Sequence, residues 1–216
     1  MPYALESICL FNSLDEKQLE TLRNISTITK FKEGNILFYE GDSPKYLYFL
    51  LEGLVKICRS DNLDSITVLD YCYTQTLIGE AASLQQTTHQ ITAECDTDSV
   101  LLVVEYESFS KHFLHNPDIA LQFIMQLIKK VKSLMKNRVP QTSVQKIAEL
   151  IYENIELFKK LKKYKIAAIL NMAPETFSRN LKSLKKEGII DYGGGYFKVI
   201  DEATLFSKFN SCKNTD

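Results

Sequence analysis

The stretch Pro174–Gly188 reads P-E-T-F-S-R-N-L-K-S-L-K-K-E-G, and it decides the fold. Proline is favoured at a first helical position, because its ring pre-sets φ and its missing N–H would have no intrahelical partner there. Phe177, Leu181 and Leu184 then fall on one helical stripe. Gly188 supplies a natural stop. The other face carries Glu175, Thr176, Ser178, Arg179, Lys182 and Lys185. A short basic helix with hydrogen-bonding side chains in its first turns has the form of a recognition helix for the DNA major groove. The same pattern also fits a solvated amphipathic helix packed on a core, and the flanking sequence separates the two.

Upstream, Ile166–Leu170 reads as a short helix and Asn171-Met172-Ala173 as a tight turn, which gives helix–turn–helix spacing. Downstream, Ile189–Tyr192, Gly193-Gly194-Gly195 and Tyr196–Ile200 read as a two-stranded hairpin, a wing, followed by a short helix around Glu202–Phe209. Charge sharpens the picture. The chain of 216 residues has a net charge of -1, but residues 1–158 hold 14 basic and 21 acidic side chains, and residues 159–216 hold 12 basic and 6 acidic ones. The balance is thus -7 and then +6, so only the second part is suited to a polyanion.

Before this part, Thr142 or Ser143 caps a helix with Val144, Ile147, Ala148, Ile151 and Ile155 on its apolar face, and residues 159–165 form a basic link. Arg138-Val139-Pro140 reads as a hinge. A long helix opens at Asn116-Pro117, with Ile124, Leu127, Val131 and Leu134 at heptad spacing and Ile128 beside them. Such a seam is most simply buried in a symmetric homodimer, although the stripe is wide enough to lie partly on another domain. The predicted domains are residues 1–115, a dimerisation helix over 116–139, and residues 140–216.

From Thr27 to Val104 the pattern changes to short β-rich runs separated by turn residues, as in a sandwich or barrel. The runs are Ile28–Phe31, Ile36–Tyr39, Tyr46–Glu52, Leu54–Arg59, Ser65–Tyr73, Thr76–Ile78, Gln90–Cys95 and Ser99–Val104. A short amphipathic helix precedes them over residues 15–25, and another follows over Tyr106–His115. The five cysteines are widely spaced with no C-x-x-C, which indicates neither a disulfide framework nor a metal site. No secretory leader and no long apolar run is present, so a cytoplasmic, membrane-free protein is expected. No phosphate loop, nucleophile elbow or H-E-x-x-H pair occurs, and no enzyme is expected.

The order β-roll, long helix, hinge, winged helix–turn–helix resembles the CRP/FNR family of bacterial transcription regulators. The resemblance rests on E-G-D at 40–42, Y-F-L-L-E-G-L-V-K-I at 48–57, L-I-G-E at 77–80 and the whole of 166–190. It implies an α+β fold: an N-terminal cyclic-nucleotide-binding-like jelly roll, a dimerisation helix and a C-terminal winged helix–turn–helix. By this resemblance Glu175, Ser178 and Arg179 read an FNR-like inverted repeat with half-sites of TTGAT or TTAAC type. Arginine can donate twice to guanine and glutamate can accept from cytosine. Lys162, Lys163, Lys165, Lys182, Lys185 and Lys186 are then phosphate contacts or solvated charges. Double-stranded DNA and RNA polymerase are the implied partners. The stretch near 156–165 is shorter than in most of the family, on a surface that some members use to touch polymerase.

The family's cyclic-nucleotide binders follow a G-E-x-A/G stretch, about ten residues on, with an arginine for the phosphate. Gly79-Glu80-Ala81-Ala82 keeps the first part, but His89 or Gln90 stands where the arginine would fall. Neither is a permanent bidentate cation, so cyclic AMP is not expected. Only Cys9 lies near the N-terminus, which argues against an iron–sulfur cluster. Haem stays open, with His89, Cys72 or Cys95 as ligand, beside a small organic effector. Lacking both devices, the chain looks like the NssR-type nitrosative-stress regulators of Campylobacter relatives, which implies a response to nitric oxide. The competing reading is a ligand-binding module that acts through protein contacts alone.

Overall fold

The computed structural model describes residues 5–8, 10–60, 66–73, 75–136 and 141–210. It divides into two compact units, residues 1–136 and 137–216.

The first unit begins with α1 (Glu16–Ile25), which opens on a reciprocal cap between Asp15 and Gln18. Eight strands follow: β1 (Ser26–Phe31), β2 (Ile36–Phe38), β3 (Tyr46–Glu52), β4 (Leu54–Ser60), β5 (Ile66–Tyr73), β6 (Thr76–Ile78), β7 (Thr92–Cys95) and β8 (Ser99–Glu105). They form two four-stranded antiparallel sheets, ordered β1-β8-β3-β6 and β2-β7-β4-β5. Strand β3 shows why the run at 46–52 is almost wholly apolar. Tyr48 and Leu50 join the core that the second sheet supplies with Val55, Ile57, Ala93 and Cys95. Leu47 and Phe49 point the other way, into a core shared with Leu22, Phe109, Phe113, Ile119 and Phe123. A strand covered on both faces loses the in–out alternation of a half-exposed one. Between β3 and β4, Gly53 turns at φ 106°, and a Cβ there would collide with Ser99.

In this unit one short helix departs from the sequence-based expectation, and the helix expected after the last strand is present with a widened turn. Residues Glu80–Gln85 form a short helix, α2, in a stretch whose only local signal is Gly79 at φ 80°. The helix after β8 is α3 (Tyr106–Phe109), which widens into a π turn over Ser110–Leu114. The long helix α4 spans Pro117–Lys136, with the Asn116 carboxamide accepting from the Asp118 N–H at 2.9 Å. Ile119 and Phe123 are buried and Leu127 packs half-buried against the same core. Ile124, Ile128 and Val131 stay exposed, together with Leu121 and Met125. The expected seam is therefore divided: Leu127 turns toward its own unit and the other three do not. The side chain of Leu134 and the hinge at 138–140 lie outside the described residues.

In the second unit, α5 (Ser143–Glu153) starts on a Thr142–Gln145 capping box. Then come α6 (Ile155–Lys160), α7 (Lys163–Ile169), α8 (Pro174–Lys186), the hairpin β9 (Ile190–Gly193) and β10 (Tyr196–Val199), and α9 (Glu202–Asn210). The stretch read as a basic link is thus helical as far as Lys160, and α7 starts three residues before Ile166. The reason is Leu157 and Phe158. Leu157 is buried, and Phe158 lies 6.3 Å from the Phe177 ring and 4.8 Å from that of Phe197. This apolar anchoring orders a segment whose local composition reads as solvated. Among the described residues, no helix is long and apolar enough to cross a membrane.

Candidate nucleic-acid interface and sensor region

Helices α7 and α8 are joined by a turn in which Asn171 adopts φ 49°, the left-handed region that asparagine tolerates better than most residues. The Asn171 N–H donates to the Ala168 carbonyl at 2.9 Å, and the Met172 N–H donates to the Ala167 carbonyl at 3.0 Å. Phe177, Leu181 and Leu184 are fully buried with Ile166 and Ala167, which fixes the rotation of α8 about its own axis. Its remaining face is thereby committed outward.

On that face Glu175, Arg179 and Lys182 are exposed, and Thr176 and Ser178 are half-buried. Glu175 and Arg179 have the spacing of a helical ion pair. Among the described residues, however, neither of them nor Lys182 has a hydrogen-bond or ion-pair partner. Lys185 differs. Its ammonium lies 2.9 Å from Asp191 Oδ1 and donates to the Tyr192 carbonyl at 2.7 Å. The hydrogen bond to Asp191 pushes the Lys185 pKa up, and the bond from Lys185 holds the Asp191 carboxyl below the usual range. Lys165, grouped by sequence with the phosphate candidates, is buried and cannot serve there as it stands. Lys162, Lys163 and Lys186 are exposed. The wing tip is a two-residue loop, Gly194-Gly195, with φ of 52° and 85°; tight hairpins need positive φ at both positions.

In the first unit, the residues expected to form an effector pocket differ in their burial and partners. Glu80 is buried, and its carboxylate accepts from the Lys130 ammonium of α4 at 2.6 Å. Ala82 is buried, while Ala81 and Gln90 are exposed. Gly79 sits against two rings, and a Cβ there would lie 2.9 Å from both His89 and Phe38. The His89 ring stacks on Phe38 at 3.7 Å and 12°, and the residue is only 3% exposed. Burial pushes its pKa down, against a weaker upward pull from Asp42, so the imidazole is neutral at pH 7. Among the described residues nothing hydrogen-bonds to its ring. It lines a cavity of about 450 Å³ together with Leu37, Phe38, Asp42, Lys45, Tyr46 and Tyr48. Burial raises the Cys72 thiol to about 12 and the Cys95 thiol to about 11. Both are therefore unreactive as thiolates at neutral pH. Cys58 is also shifted up by burial, and Cys9 lies outside the described residues.

A cyclic nucleotide-binding domain matches residues 28–116, and a Crp-like helix-turn-helix domain matches residues 143–206. The chain belongs to the CRP/FNR family of regulators. It is 22% identical over 207 residues to the cyclic AMP receptor protein of Thermus thermophilus, a match covering 91% of this chain and 94% of that protein. Its fold is similar to FixK2 of Bradyrhizobium japonicum, with a TM-score of 0.66 at 16% identity over 85% of this chain and 97% of that one. It is also similar to DNR of Pseudomonas aeruginosa, with a TM-score of 0.53 at 22% identity over 94% and 95% of the two chains. As a CRP/FNR protein the chain is a DNA-binding transcription regulator and not an enzyme.

Within this family frame, sequence reading missed two residues that shape the sites. Lys130 is fifty positions from Glu80, and nothing local connects them. Asp191 follows the recognition helix, but only the hairpin register turns it back toward Lys185. Lys130 is one of several lysines in this part of α4, beside Lys129 and Lys132, so its own charge does not single it out.

Proposed function

We propose that this CRP/FNR regulator acts in the cytoplasm as a homodimer on an FNR-like inverted repeat with half-sites of TTGAT or TTAAC type. The observation that carries the reading is the outward placement of Glu175 and Arg179. Two opposite charges four residues apart on one exposed helical face have no partner among the described residues, and they match the donor and acceptor needs of a G·C pair. Ser178 and Thr176 flank them, and Lys182 supplies an exposed cation for phosphate. Dimerisation through α4 is supported by exposed Ile124, Ile128 and Val131, which an isolated chain would leave in water. RNA polymerase is the partner through which such a dimer would act.

The experiment is a gel-shift titration on a TTGAT inverted repeat at fixed salt. Arg179→Ala should weaken binding by about 5- to 150-fold for each half-site, the range for loss of one bidentate base contact (about 1–3 kcal/mol), and should relax preference at the paired base. Equal affinity of parent and variant overturns base reading by Arg179.

The signal in this reading is a stress molecule such as nitric oxide, received at the cavity beside His89. Two observations support that site over the alternatives. Glu80 is already engaged by Lys130, and no arginine stands at 89 or 90 to hold a cyclic phosphate. The buried thiols are held protonated, so they are poor sensors. A neutral imidazole can ligate haem iron, and His89, whose ring has no hydrogen-bond partner among the described residues, would be the residue to hold it. Haem bound there would supply the iron that nitric oxide ligates. Added haem should give a Soret band that shifts with nitric oxide and is lost in His89→Ala. A featureless spectrum reassigns the cavity to a small organic ligand. The Bacillus subtilis relative named an anaerobic regulatory protein, 23% identical over 122 residues, is in keeping with a redox-linked signal.

A further inference from the structure

We propose that Lys185 serves DNA binding as a strut that fixes the wing to the recognition helix, and not as a phosphate ligand. This rests on the DNA-binding reading of α8. Lys185 is in the last turn of α8, where a basic side chain is commonly assigned to phosphate. Its surroundings say otherwise. An ammonium has three donors. One meets Asp191 Oδ1 at 2.9 Å and one meets the Tyr192 carbonyl at 2.7 Å. The ammonium also stands 4.9 Å from the centre of the Tyr192 ring, close enough for a cation–π contact. Little of its hydrogen-bonding capacity is left for an outside anion.

The partners are themselves anchored. The Tyr196 hydroxyl donates to the other Asp191 oxygen at 2.8 Å, so the carboxylate, carried by β9, is held by α8 on one side and by β10 on the other. The Tyr192 ring stacks on Phe197 at 5.9 Å and 11°, and Phe197 packs on Phe158, which also touches Phe177 of α8. Lys163, in the first turn of α7, sits 4.4 Å from the same Tyr192 ring. Both helices of the motif and the wing thus converge on Tyr192. The aromatic side of this junction is greasy and tolerant of sliding. The ionic side, with its fixed hydrogen bonds, sets the angle. A single exposed ion pair contributes little stability. The role of this one is geometric, since a wing turned by a few degrees moves its tip by ångströms at the DNA surface. Lys182, three residues earlier and without a partner among the described residues, is the contrasting cation.

The test is the salt dependence of binding to the inverted repeat. Each phosphate contact contributes a slope of about -0.9 to a plot of log affinity against log salt. Lys182→Met, which removes one contact from each half-site of the dimer, should reduce the magnitude of the slope by about 1.8. Lys185→Met should weaken binding several-fold at every salt concentration and leave the slope unchanged, while Lys185→Arg, which can keep the Asp191 pair, should bind close to parent. In an Asp191→Asn background, Lys185→Met should cost much less than it does in the parent, because the strut is already broken. Far-UV circular dichroism confirms that each variant is folded. A Lys185→Met slope that falls as in Lys182→Met, an unchanged affinity, or additive effects with Asp191→Asn overturns the strut. A parent protein with no salt-dependent DNA binding overturns the DNA-binding reading instead, so the two failures are distinct.

Discussion

The recognition helix and the sensor region treat their charges in opposite ways. On α8, Glu175, Arg179 and Lys182 face outward without partners among the described residues. In the first unit, the carboxylate of Glu80 is buried and answered by Lys130, and the imidazole of His89 is neutral and stacked on Phe38. Exposed unpaired charge costs little in water and is available to an outside polyanion. Buried charge must be paired or neutralised within the chain. The difference teaches that one unit presents its charges to solvent and the other answers them within the chain.

Three changes probe that contrast, and the largest effect is expected in the core that presents α8. Phe177 is fully buried and faces Phe158. Phe177→Ala should destabilise the second unit by about 3–5 kcal/mol, the usual range for emptying a buried phenylalanine site. Urea denaturation followed by circular dichroism measures it, and DNA binding should fall with the loss of the folded unit. If the loss is below about 1 kcal/mol, α8 is not held in rotation by this side chain, and the outward commitment of Glu175 and Arg179 needs another cause.

How much of this contrast could be read from the sequence follows from the range of the interactions. The α7–turn–α8 motif is local: Pro174, the Phe177–Leu181–Leu184 stripe and the glycine-tipped wing each carry their signal within a few residues. The exposed face of α8 was therefore readable at side-chain level. The strands were readable as runs, although β3 hid its two-sided burial in a continuous apolar stretch. Helix α6 was missed because Lys159 and Lys160 mask the two apolar residues, Leu157 and Phe158, that anchor it. The sensor region failed for a different reason. Glu80 and Lys130, or Gly79 and His89, meet only through the tertiary fold, so the residues were recognised as a group and their partners were not. The heptad seam was legible as a pattern, but its division between Leu127 and the exposed positions depends on which side of α4 the β-roll covers.

A middle-sized effect is expected where the internal pairing is cut. Lys130→Met would leave the Glu80 carboxylate, 8% exposed, without its cation. Removing one partner of a fully buried pair costs about 3–5 kcal/mol. Lys130 is 34% exposed, so solvent screens part of the interaction, and about 1–2 kcal/mol is the better expectation. The loss should appear in the urea unfolding of the first unit. The double variant Glu80→Gln, Lys130→Met should recover part of it, because a neutral amide tolerates the site better than an unpaired carboxylate. If the single and double variants are equally destabilised, the pair does not withhold Glu80 electrostatically.

The smallest effect concerns pH. The folded-state pKa of His89 is lowered by burial, so the unfolded chain takes up a proton more readily than the folded one. The stability that this confers is fully present above the ordinary histidine value near 6.5, and it is lost as pH falls through the lower folded value. The first unit should therefore weaken as pH drops below neutrality, while His89→Phe should flatten that part of the profile. Protonation would also put a positive charge against the face of Phe38, 3.7 Å away, and beside Lys45, with Asp42 the acidic group nearest in the cavity wall. If Asp42→Asn steepens the loss, the carboxylate has been softening the cost of that charge; if it changes nothing, burial alone keeps His89 neutral and available to a ligand.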